Sequence, residues 1–308
     1  MHISSASLLR SIRGVAHAAT LSEADMEPIA QHLSSSVECL GVANWQRLLE
    51  EMASDADESS THRAVFSLAL AVSFLRETAR QNQAASPRDL DRCWDMIRRA
   101  ITCGGSPGLA AARSAQGFLS VALCSLVEDG GIDELFRLHV WLPDGERGNP
   151  DFKLHSHQPF AQSWILAGEG EDHAWEVEPV GDPAEATHAG YALAWDDGKA
   201  QGGAYKTHQS SSTVRNTGSL FRATETRSET HRRGSTYTVP AAAFHTSEVA
   251  ADALHATLFF FDSRRGFVRD AGVLGPKNGD AFTQMRDPAG ISPRELVEAV
   301  EAARLRGQ

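Results

Sequence analysis

The sequence predicts an α+β protein, with an α-helical domain over residues 1–130 and a β-barrel domain over 131–308 that ends in a helix. Three observations carry this. Apolar residues recur at helical spacing through the first part of the chain. From Phe136 the period shortens to two, and turn residues then punctuate short segments at regular spacing, as a closed antiparallel barrel requires. Ser292-Pro293-Arg294-Glu295-Leu296 opens a final amphipathic segment that runs to about Gly307.

Taken in order, Leu8, Leu9, Ile12 and Val15 form the first helical stripe, and Ser22 caps a second segment. Asn44 is read as the cap of a helix carrying Trp45, Leu48, Leu49 and Met52. Ser59 or Ser60 begins the strongest helix, which turns Val65, Leu68, Val72 and Leu75 inward. Ser86-Pro87 starts the next with proline at the first helical position, and Leu90, Trp94, Ile97 and Ile101 form its buried face. Gly104-Gly105-Ser106-Pro107 breaks the chain and restarts it as a helix over Leu109–Val127. Asp129-Gly130-Gly131 ends the helical half. Then Phe136, Leu138, Val140 and Leu142 alternate with Arg137, His139 and Trp141. Gly181 to Gly203 reads as an excursion over the barrel mouth, and two strands are expected over Ser219–Glu225 and Thr226–His231.

Composition sets the outer bounds. A chain of 308 residues suffices for one large or two ordinary domains, and 42% hydrophobic with 22% charged residues is globular. The net charge of −11 argues against a general nucleic-acid partner, which needs a basic face. Cys39, Cys93, Cys103 and Cys124 show no C-x-x-C spacing and read as buried free thiols. Residues 1–19 lack the apolar core of a signal peptide. The longest apolar run, Ala64 to Leu75, falls far short of the roughly 20 residues of a membrane span. A cytoplasmic protein without a membrane partner is expected.

The chemistry concentrates in His155-Ser156-His157 and, far along the chain, His245. Two histidines separated by one residue point the same way on a strand. A third from a distant strand closes a facial set of imidazoles around one cation and leaves positions open. That suits a non-haem iron site better than a closed structural zinc site.

These residues sit in a pattern that resembles the cupin superfamily over roughly residues 136–275. Gly148, His155-x-His157 and Gly168 follow the first cupin motif, with Gly148 one residue further from His155 than usual. The glutamate of that motif falls on Ala161, or on Gln162 under the longer spacing. Gly234, Pro240 and His245 match the second motif, with Ala242 in place of its glycine and Val249 in place of its asparagine. The resemblance implies a double-stranded β-helix barrel. Without the acidic ligand it favours a three-histidine site like that of the thiol dioxygenases.

The function expected from this is an iron(II) oxygenase that uses O2 on a small polar substrate, with Zn, Ni, Mn and Cu as alternative metals. A redox-neutral lyase, isomerase or hydrolase and a non-catalytic ligand-binding cupin are the other readings. Tyr237 and His255 are the further catalytic candidates, His255 through a matching strand position in the thiol dioxygenases. Arg222 and Arg227 are candidates to grip a substrate carboxylate, and Gln162 to bond a metal-bound water. Since cupins commonly pair, the helical half is a candidate homodimer surface.

Overall fold

The computed structural model describes residues 2–22, 26–27, 30–31, 33–34, 39–54, 59–103, 108–195, 211–286 and 289–307. Positions 23–25 at the start of the helix expected after Ser22, the break over 104–107 and positions 196–203 of the excursion lie outside them. No described helix is long and apolar enough to cross a membrane.

A short strand β1 (His2–Ser4) leads into α1 (Ser5–Ala18), where the Ser4 side chain accepts from the Ser7 amide and so caps the helix. Strand β2 (Cys39–Gly41) pairs antiparallel with β1. The next helix, α2 (Val42–Ser54), starts early enough that Asn44 lies within its first turn rather than at its cap. Then come α3 (Ser59–Arg80) and α4 (Pro87–Thr102). In α4, Ser86 and Asp89 form a reciprocal capping box ahead of Pro87.

The helix expected over Leu109–Val127 is instead two strands, β3 (Ala111–Arg113) and β4 (Leu119–Glu128). Residues 119–125 of β4 are all buried: helices pack on one face, and the other face, with Ser120, is closed from solvent as well. A strand buried on both faces loses its alternation and reads like a buried helix. The sheet thus begins before the boundary drawn at residue 130.

The chain continues through β5 (Gly131–Trp141), β6 (Pro159–Ala167), β7 (Glu169–Pro179), β8 (His188–Trp195), β9 (Ser211–Arg232), β10 (Thr236–Val239), β11 (Phe244–Glu248), β12 (His255–Phe267), β13 (Val273–Gly275) and β14 (Ala281–Met285), and ends in α5 (Pro293–Leu305). The excursion expected from Gly181 therefore contains a strand, β8. The two strands expected over 219–231 are one long strand, with Gly218 at φ 78°, which pairs with β8 over Ser212–Phe221 and with β7 over Phe221–Arg232.

One six-stranded sheet runs β10-β6-β12-β5-β4-β3, and another β11-β7-β9-β8-β13 with β14 added against β9. The strand pairings within these sheets are antiparallel among the described residues, and the sheets meet where His231 of β9 stacks on Tyr237 of β10 with ring centroids 4.2 Å apart.

The helices pack on the outer face of the first sheet. Leu8, Val65, Leu68, Trp94 and Leu296 share one apolar core with Phe136, Leu138, Trp164, Leu258 and Phe260. By strand parity Arg137, His139 and Trp141 then face the other sheet. At the helix–sheet junction, buried Glu134 accepts from Arg10 (2.8 Å), Arg76 (3.1 Å) and Arg80 (3.0 Å), and Arg80 also reaches buried Asp262. Of the cysteines, Cys93 and Cys124 are buried, whereas Cys39 and Cys103 are exposed.

Candidate metal centre

The segment carrying the first two histidines is held on both sides. The His155 amide donates to the His245 carbonyl (3.2 Å), and the His245 amide donates back to His155 (2.9 Å). On the other side Leu274 donates to the Leu154 carbonyl (2.8 Å) and Ser156 to Gly272 (2.9 Å). His155 thus bridges β11 and β13 and joins the two ends of the second sheet. A reciprocally bonded antiparallel pair projects its side chains from one face, so the two imidazoles emerge side by side. His157, two residues on, takes the same face, and its carbonyl accepts from Ala242 at 2.9 Å.

The ring centroids of His155 lie 4.7 Å from those of both His157 and His245, and His157 and His245 are 5.0 Å apart. One nitrogen from each comes within 4.8 Å of the others, and the Nε2 atoms of His157 and His245 are 3.1 Å apart. Two ligands about 2.1 Å from one cation, at angles between octahedral and tetrahedral, stand about 3.0–3.4 Å apart. The His157–His245 pair has the spacing of two ligands on a first-row metal ion, and the His155 nitrogen lies beside them within the 4.8 Å that bounds the group.

The second nitrogen of two rings is occupied in the way that ligand histidines need. His155 Nδ1 donates to the Lys153 carbonyl (2.8 Å), and His245 Nδ1 to Asp172 Oδ1 (3.0 Å). Both partners only accept, which places the proton on Nδ1 and leaves the Nε2 lone pair for a cation. Ser247 Oγ donates to the same Asp172 oxygen (2.9 Å) and steadies it. Burial pushes the His155 imidazole down to about 3, helped by His245 and opposed by the Lys153 carbonyl and Asp172. His157 is held well below its ordinary value by burial and then by His155, His245, His139 and Arg137. Neutral imidazoles are what a metal requires.

No carboxylate joins the donor group among the described residues. Ala161 occupies the inward position on β6, packed with Val239, Phe259 and Phe261. Gln162 points the other way, toward the helices, and accepts there from Arg265. Its expected contact at the site is thereby corrected. Side-chain alternation sets Gln162 and Trp164 on the helix side and leaves Ala161 inside.

The remaining candidates are scattered around the cluster. Tyr237 hydrogen-bonds with Ser163 and Ser247; burial and then Asp172 push its phenol up to about 12. It stands one serine beyond Asp172, away from the imidazoles. His255 is buried against Trp141, with centroids 5.4 Å apart, and burial and His231 push it down to about 4. Arg222 is an exposed partner of Glu178 (2.8 Å), on the rim rather than at the cluster. Arg227 pairs with Glu229 (3.2 Å) and lines a pocket of about 210 Å³ with Asp172, His231 and Tyr237.

Sequence reasoning missed Asp172. It lies among Glu169, Glu171, Glu176 and Glu178, and only the pairing of β7 with β11 sets it beside His245. Gly168, by contrast, has a structural reason visible in the motif. Its φ is +75°, and a Cβ there would fall 1.9 Å from the Leu254 carbonyl oxygen.

No family model matches the chain, and no curated protein matches it. Among solved structures, a chain from crystal structures of the DMSP lyases RdDddP and RnDddQII is 15% identical, covers 68% of this chain and 75% of that chain, and has a TM-score of 0.27. So distant a likeness assigns no activity.

Proposed function

We propose that this chain is a metal-dependent enzyme of the cupin type that acts on a small polar substrate, with His155, His157 and His245 as metal ligands. The supporting observation is that three imidazoles gather without a carboxylate among the described residues, two of them tied at Nδ1. Within that class we place it with the iron(II) oxygenases that use O2. A bound cation would keep its full charge among neutral ligands and supply Lewis acidity and, as iron(II), the electrons for dioxygen chemistry.

The residues of the chain do the rest. Asp172 and the Lys153 carbonyl hold the ligand rings in plane and tautomer. Phe259 and Phe261, packed on His157 at 6.0 and 4.8 Å, keep water from one side of the cluster. Tyr237, protonated at neutral pH, steadies Ser247 and through it Asp172.

Elemental analysis of protein purified without added metal, with oxygen uptake on small thiols, amino acids and phenols, tests both levels. Near-stoichiometric iron and substrate-dependent oxygen consumption are expected. His157→Ala is expected to weaken metal binding more than about 100-fold, beyond the usual cost of losing an outer-shell partner. Parental metal content in that variant would overturn the ligand assignment. Turnover without oxygen on a redox-inert metal would replace the oxygenase with a lyase, isomerase or hydrolase and leave the metal centre standing.

A further inference from the structure

The inner face of the first sheet carries polar residues that the metal centre does not use. Ser120 of β4, His139 of β5 and Thr257 of β12 are register partners, side by side across the sheet, and all are more than nine-tenths buried. The His139 ring is clasped between Phe118 (centroids 4.1 Å, planes 26° apart) and Phe259 (4.6 Å, 23°), which fixes its plane. Its Nε2 is buried and has no hydrogen-bond partner among the described residues. Phe259 also packs on His157, so this nitrogen lies one phenyl ring from a metal ligand. Arg137, two residues away on the same face of β5, and Arg286 both act electrostatically on the ring; Arg137 also acts on His157.

A buried polar atom without a partner is rare, because it forgoes the hydrogen bond that water offered it in the unfolded chain. Here the orphan is no accident of a loose loop, since two aromatic rings hold it in place. Such an atom is retained where a ligand completes it. The neighbouring guanidinium charges select a ligand group of negative charge.

We infer that His139 anchors the substrate, its Nε2–H donating to an oxyanion, in the simplest case a carboxylate, on a molecule whose other end reaches the three histidines. This rests on the metal-enzyme reading above. It adds a substrate class to it, a small organic anion, and a residue that selects it.

The cobalt(II)-loaded chain titrated with succinate, which has one carboxylate for the cation and one for His139, followed by the cobalt absorption bands, tests the assignment. His139→Phe keeps the aromatic stack and removes the donor, whereas His139→Gln keeps a donor. Cobalt content and melting temperature are expected to match the parent in both variants. Succinate affinity is expected to fall about tenfold in His139→Phe, the loss of one charge-assisted hydrogen bond, and to recover most of the way in His139→Gln. Equal succinate affinity in His139→Phe and the parent, both with cobalt bound, overturns the role of His139 alone. So does a cobalt-loaded parent whose bands succinate leaves unchanged. Failure of the parent to take up cobalt overturns the three-histidine reading, and the anchor with it.

Discussion

Ala242 holds φ at +65°, where an L side chain crowds its own carbonyl, and its amide donates to the carbonyl of His157. The second cupin motif has glycine at this position, and here the turn is made without it. The strain is about 1 kcal/mol, held by the Pro240–Ala243 turn bond on one side and the His157 bond on the other. Ala242→Gly should therefore raise stability by up to about 0.5 kcal/mol, the relief exceeding the added freedom of the unfolded chain. The urea midpoint should rise while metal content stays the same; a lower midpoint would show that the turn is unstrained. At this scale much of the site was legible: the alternation of His155 and His157 and the spacing of Pro240 and His245 are local facts. Asp172, Arg137 and His139 were not, since each gains its meaning from a strand distant in sequence.

The helical layer and the first sheet are joined by apolar packing and by one buried charge cluster. Burial pushes the Glu134 carboxyl up, but Arg76, Arg80 and Arg10 outweigh it and hold the group down at about 2. Removing that carboxylate leaves Arg76, itself 1% exposed, without its buried counter-charge. Glu134→Ala is expected to cost about 3–5 kcal/mol, read from the urea midpoint. A loss below about 1 kcal/mol would mean that water enters the junction and solvates the arginine. Helix starts were easy to read at this scale, as at Ser86-Pro87 and Ser292-Pro293, because capping is a matter of a few consecutive residues. Strand β4 was not, because both of its faces are buried, one of them under the helices, and that erases the period-two signal.

The whole molecule buries several neutral imidazoles, and this makes its stability depend on pH in a fixed direction. His255 has an ordinary value of 6.5 and is held at about 4 in the folded protein. His139 is held well below its ordinary value, by burial and then by Arg137 and Arg286. Between the two values the unfolded chain binds a proton that the folded chain refuses, so folding stability rises with pH. The contribution is fully present above about 6.5 and is lost as the pH falls toward 4. From pH 7.5 to 5, His255 alone is expected to remove about 2 kcal/mol. Urea unfolding of metal-free protein at the two pH values checks it, and an unchanged midpoint would show that these rings take up protons in place.

By itself the sequence determined the elements with a local signature: capped helices, the alternating strand at Phe136, and three histidines at metal-ligand spacing. Each depends on residues a few positions apart, where backbone period and hydrogen-bonding side chains dominate. Only the tertiary structure decided which face of each strand is the inside. It turned Gln162 toward the helices, set Asp172 behind His245 and enclosed His139 between two phenyl rings. A sheet covered on both sides buries its two faces alike, so hydrophobicity along the chain does not distinguish the core from the cavity.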